Sequence, residues 1–101
     1  MVRIKDLPAE QRPREKLLKD GAETLSDAEL LAILIGSGSE GKSAVDLANE
    51  IMQKYGSYKG LAGREIEELK QLKGLKEAKI LNIAAAFEIA RRIVEEVQKY
   101  G

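Results

Sequence analysis

The residues best placed to do chemistry lie in "IGSGSEGKSA", residues 35–44. Gly36, four further residues, then Gly41, Lys42 and Ser43 match the spacing of the loop with which nucleotide hydrolases cradle phosphate. In such a loop, backbone N–H groups and the lysine ammonium surround phosphate oxygens while the hydroxyl holds Mg²⁺. That chemistry needs a buried parallel strand to deliver the loop and a helix N-terminus to follow it. The preceding "LSDAELLAILI" argues against the strand. Ser26 with Glu29 is a capping box and Asp27 adds first-turn charge, which predicts a helix over about 27–35 with Ala28, Leu31 and Leu34/Ile35 at helical spacing. After the loop, Ser43 and Asp46 make a second cap-like pair. Val45, Ala48, Ile51, Met52 and Tyr55 then share one helix face, and Gly56 stands at the C′ stop. No apolar run ends in an Mg²⁺-binding Asp, and no set of strands is available for a parallel sheet. The loop is therefore expected to join two helices, a bound nucleotide is disfavoured, and no cofactor is expected.

Composition narrows the remaining chemistry. The 101 residues contain neither Cys nor His, so disulfides, thiolate catalysis, zinc fingers and His-based triads are ruled out for this chain. Length suits one domain with a modest core, and the 44% hydrophobic content is ordinary for a globular fold. The N-terminal "MVRIKDLPAEQ" holds no apolar run resembling a signal peptide, and the longest such run, Leu30 to Ile35, is too short to span a membrane. A cytoplasmic protein is the expectation. Seventeen basic residues balance seventeen acidic ones, but unevenly. Residues 69–92 carry Lys70, Lys73, Lys76, Lys79, Arg91 and Arg92 against only Glu77 and Glu88. A local basic stripe on a neutral chain points to a confined anion-binding face.

The rest of the chain also reads as helical. Pro13 and Gly21 bracket the short helix "PREKLLKD". Glu65 to Leu72 carries Ile66, Leu69 and Leu72 on one side, and a long helix is expected from about Glu77 to Gln98. Its buried stripe is expected to be Ala78, Leu81, Ala85, Ile89, Ile93 and Val97. The last three are expected to pack on Leu17 and Leu18; the alternative is that they stay exposed as a partner surface.

Two segments, beginning at Leu31 and Leu69, share the pattern L-x-x-L-x-G-x, 38 residues apart. The second, continuing as "LKGLKEAKI", resembles the helix-hairpin-helix motif. In that motif a glycine hairpin points N–H groups at a nucleic-acid phosphate, aided by the positive end of the following helix. Gly74 takes the first hairpin-glycine position, Ala78 the small packing position, and Lys76 replaces the usual second glycine. The expected nucleic-acid contacts are Lys73, Gly74, Leu75, Lys76 and Lys79, with Gly36, Gly38, Gly41 and Lys42 as a weaker second site. The bland reading is that the hairpin only packs or docks protein and its lysines are solvated. Tyr55, Tyr58 and Phe87 are candidates for base stacking, although spacing places Tyr55 in the core. The Glu65/Glu67/Glu68 cluster is better explained by the helix dipole than by a metal.

The blocks "RPREKLL", "LSDAELLAILIGSG" and "KGLKEAKILNIAAAFEIARR" occur in order and resemble the start of the RadC-like bacterial proteins, long labelled DNA repair proteins. The resemblance covers nearly the whole chain. It implies an N-terminal helical region, followed in the family by a JAB/MPN-type metal domain whose His ligands this chain lacks. The expectation is one all-α domain over residues 1–101, with about five helices. It comprises an N-terminal arm (1–12) and two helix-hairpin-helix-like units (27–56 and 64–98). The favoured function is non-catalytic, sequence-independent binding to the DNA phosphate backbone. The competing function is an adaptor or dimerisation role that positions the metal domain.

Overall fold

The computed structural model describes residues 12–39 and 41–100, so the arm expected at 1–12 lies outside the described residues except for Arg12. Six α-helices are present: α1 (Pro13–Asp20), α2 (Asp27–Ile35), α3 (Ala44–Tyr55), α4 (Tyr58–Leu61), α5 (Ile66–Leu69) and α6 (Glu77–Tyr100). A short 3₁₀ turn, Ala22–Thr24, links α1 to α2. There is no strand among the described residues, only an isolated bridge between Ser39 and Lys42. The protein is all-α, with six α-helices among the described residues where about five were expected.

The strongest sequence signals correspond to the best-formed ends. At α2, the Glu29 amide donates to Ser26 Oγ and the Ser26 amide to Glu29 Oε1, a complete capping box. Burial works to raise the Glu29 carboxyl, but the Ser26 amide and Lys16 outweigh it and hold its pKa below the ordinary value. Lys16 reaches that carboxylate at 3.2 Å and ties α1 to α2. At α3, Ser43 and Asp46 form a second complete box, and Gly56 (φ 81°) ends the helix. The nucleotide-loop reading fails here, because a helix stands where the strand would have to be.

The core is a layer between α2, α3 and the first half of α6. Leu31, Ile35, Leu47 and Ile80 are its largest fully buried side chains, with Leu61 and Leu69 closing it from α4 and α5. On α3 the buried set is Ala44, Leu47, Ala48 and Ile51, while Val45, Met52 and Tyr55 lie at its margin.

Three expectations need correction. First, α5 is a single turn rather than a helix to Leu72. After it, Gln71 N–H bonds to the Glu68 carbonyl and Leu72 N–H to that of Leu69, so the chain tightens into i→i+3 turns leading to Gly74. Second, α4 was not anticipated, because Gly60 breaks its apolar pattern; its N-terminus is nonetheless marked by Ser57, whose Oγ accepts from the Gly60 amide. Third, α6 buries a different face. Ile80 and Ile83 enter the core with Phe87 packed beside them, while Ala78, Leu81, Ala85, Ile89, Ile93 and Val97 are exposed. The first half of α6 is apolar on two faces, and spacing alone cannot choose between them. Leu18 is 89% exposed, so the expected packing of α6 on α1 does not occur.

The second half of α6 is held by its own charges. Glu88 accepts from Arg91 at 2.9 and 3.0 Å and from Arg92 at 2.8 Å, and Arg91 also reaches Glu95 at 3.0 Å. Hydrogen bonds from Arg91 and then Arg92 lower the Glu88 pKa to about 2. A carboxylate depressed in the folded state contributes stability above its unfolded pKa, and that contribution is lost as pH falls through the folded value. Helicity of this segment should therefore decline as pH drops from about 4.5 to 2. Far-UV circular dichroism of the Glu88→Gln variant, which lacks this carboxylate but keeps the Arg91–Glu95 pair, should show a smaller decline.

Candidate nucleic-acid interface

The two glycine turns meet at one end of the bundle. A Cβ built on Gly74 would lie 2.8 Å from Leu47 Cδ2 and 2.9 Å from Ser39 Oγ, so the second turn rests directly on the first loop and on α3. Lys79 crosses the other way: its Nζ lies 3.1 Å from where a Cβ would stand on Gly36, and Arg14 Nη2 is 3.9 Å from the same point. The paired L-x-x-L-x-G segments share a buried leucine and a positive-φ glycine, although residues 31–35 are helical and residues 70–73 form turns. Leu31 and Leu69 are both buried, and Gly36 and Gly74 both have positive φ, 80° and 88°. These are angles that only glycine adopts without strain.

The nine expected contact residues do not behave alike. Lys73 and Lys76 are exposed, Lys79 is half-buried, and none of the three has an ion-pair partner among the described residues. Lys76 contributes the carbonyl that accepts the Lys79 and Ile80 amides, so it is the residue from which α6 starts. No side chain caps α6 there, and the amides of Glu77 and Ala78 bond to no acceptor among the described residues. Such an end carries partial positive charge and free donors. Leu75 is half-buried against the core, so its side chain anchors the turn.

The first loop is more self-satisfied. Lys42 donates to Glu50 at 2.6 Å, and the Asp46 carboxylate occupies the start of α3. Gly38 is in close contact with its own loop, its Cβ position being 2.0 Å from the Lys42 carbonyl oxygen. Gly41 (φ 82°) has nothing within 4 Å of its Cβ position. Gly38 thus serves loop closure, and Gly36 is the glycine of this loop that the neighbouring cations approach. Arg14 is the contributor that sequence reading missed; the basic "RPR" around Pro13 was its available signal.

The aromatic candidates lie elsewhere. Tyr58 donates its hydroxyl to the Asp27 carbonyl at 2.7 Å and meets Phe87 edge-on at 6.1 Å between α4 and α6. Tyr55 donates to Glu68 at 3.1 Å. Burial first, then those partners, raises both tyrosine pKa values. Of the acidic cluster, Glu67 pairs with Lys70 and Glu68 with Arg64.

Comparison with known proteins identifies the family of the chain. The family model described as UPF0758 N-terminal matches residues 4–81, ending within the first half of α6. The chain is 52% identical over 89 residues to a UPF0758 protein of Desulforudis audaxviator, covering 88% of this chain and 39% of that protein. It is also 52% identical over 90 residues to one of Rubrobacter xylanophilus (89% and 40%) and 50% identical over 93 residues to one of Neisseria gonorrhoeae (92% and 41%). The chain thus spans about two fifths of the length of the curated relatives it matches. No solved structure matches it. With 78 of its residues under the family model and half of its positions identical to relatives from distant bacteria, the chain belongs to the UPF0758 family, which is the RadC-like family, and corresponds to its N-terminal part.

Proposed function

We propose that this region is a non-catalytic module that binds the DNA phosphate backbone without reading sequence, in the manner of a helix-hairpin-helix. The observation that carries the reading is the start of α6, where the Glu77 and Ala78 amides have no acceptor among the described residues and Lys73, Lys76 and Lys79, adjacent in sequence, have no ion-pair partner among them. Free backbone donors, a helix dipole and ammonium groups at one point fit a phosphate group. Gly74 lets the turn lie close against Leu47 and Ser39, which holds those donors in place. Lys79 and Arg14 extend the positive surface to Gly36, so a strand leaving the second turn meets the first loop next. In the longer relatives we propose that the module works beside a JAB/MPN-type metal domain. The adaptor reading draws on a different feature, the exposed second half of α6.

Titration against duplex, single-stranded and branched DNA at several salt concentrations tests the proposal. With three phosphate contacts, log K should fall with log[salt] at a slope of about −2.7, and Lys76→Gln should reduce that magnitude by about 0.9. Unrelated DNA sequences should weaken alike, since phosphate contacts carry no base information. An unchanged affinity and slope in Lys76→Gln would remove the phosphate-binding role.

A further inference from the structure

The second half of α6 leaves the core and has no neighbour among the described residues that buries it. Every residue from Ile89 to Tyr100 is exposed, including Ile89 at 60%, Ile93 at 55%, Val97 at 61% and Tyr100 at 77%. At 100° per residue, Ala86, Ile89, Ile93, Val97 and Tyr100 form one continuous apolar face. A groove of about 510 Å³, lined by Tyr58, Ala62, Phe87, Ala90 and Val94, continues that face onto α4.

The flanks of the face differ, and the difference selects an occupant. One flank carries Arg92 and, one turn on, Glu96; the other carries the small Ala90 and Val94. Glu77, Glu88 and Glu95 each have a basic partner, whereas Glu96 has none among the described residues. When two copies of such a helix pair antiparallel about a two-fold axis, each flank faces itself in reverse. Arg92 then meets Glu96 of the second copy, twice over, and Ala90 and Val94 allow close approach on the opposite side. With Ile93 at the axis, Ile89 stands opposite Val97 and Tyr100 opposite the small Ala86. A parallel pair would set the charged flank against the apolar one, leaving Glu96 without a basic partner and Arg92 with only Glu88 of its own helix.

We infer that the second half of α6 is a homodimerisation surface, pairing antiparallel with the same helix of a second copy. It lies at the opposite end of α6 from the glycine turns and stands independently of any DNA contact. The face is smaller than the roughly 800 Å² per partner of a standard interface, so the dimer is weak and concentration-dependent.

Sedimentation of the 101-residue chain over a dilution series reads this directly. A reversible monomer–dimer equilibrium in the micromolar range is expected, and Ile93→Glu should yield a monomer with unchanged circular dichroism. Glu96→Arg and Arg92→Glu should each weaken dimerisation about tenfold, and the double reversal should restore it. Three results would overturn the inference: a monomer at every concentration, a dimer that survives Ile93→Glu, or a double reversal no better than the singles. A monomer would reassign the face to polypeptide that the longer relatives carry.

Discussion

Replacing Gly38 with alanine should be the most damaging single-methyl change in the first loop. The added Cβ would lie 2.0 Å from the Lys42 carbonyl oxygen and 2.8 Å from the Ser43 Cα. Both are backbone atoms, so no side-chain rotation relieves the clash; the loop must open, and the Ser43 cap of α3 moves with it. A cost of about 3 kcal/mol, the upper range for overpacking, is expected. For a chain of this size that corresponds to a melting temperature lower by roughly 12–24 °C. Gly41→Ala is the control. It shares the loop and a positive φ of 82°, but its Cβ would meet nothing within 4 Å. Only backbone strain applies there, about 1–2 kcal/mol. Thermal melts of the two variants that came out equal would show that the loop is not closed as described.

Leu47→Ala should be comparably destabilising for a different reason. Leu47 is 2% exposed in the first turn of α3, and one of its methyl groups supports the Gly74 turn. Truncation leaves a cavity beneath the turn and should cost about 2–5 kcal/mol. Against a total stability of about 5–15 kcal/mol, the variant stays folded only if the chain begins above the lower end. The contact also predicts a coupling. Gly74→Ala alone drives a methyl group to 2.8 Å from Leu47, whereas in the Leu47→Ala background that methyl enters vacated space. The double variant should therefore lose less than the sum of the singles, leaving the strain of φ 88° and the 2.9 Å approach to Ser39 Oγ. Additive losses in urea denaturation would mean that α3 and the second turn do not touch.

These residues also show where sequence was informative. The starts of α2 and α3 were readable because Ser26/Glu29 and Ser43/Asp46 satisfy their own helix ends within four residues, a local interaction that needs no tertiary partner. The repeat at Leu31 and Leu69 was readable because a buried leucine and a positive-φ glycine each leave a residue-type signature. The face of α6 was not readable. Ile80 and Ile83 point one way, Leu81 and Ala85 another, and only the position of α2 decides which pair is buried. The meeting of Lys79 with Gly36 was equally hidden, since it joins residues 43 positions apart through the packing of three helices. Arg14 escaped notice because nothing in "RPREKLL" indicates that α1 lies beside the first loop.

The continuous ladder of α6 gives one helix in geometry but two in stability. Unwinding near Ile80 pulls Ile80 and Ile83 out from among Leu31, Ile35 and Leu47, so amides there open only when the whole domain does. Beyond Phe87 no core side chain is exposed by unwinding, and the last three turns can melt at the expense of their own hydrogen bonds and the arginine–glutamate pairs. Amide hydrogen exchange would accordingly step, rather than slope, along this single helix, with Phe87 at the step. The slow side reports the folding equilibrium of the domain, and the fast side reports whatever covers Ile93.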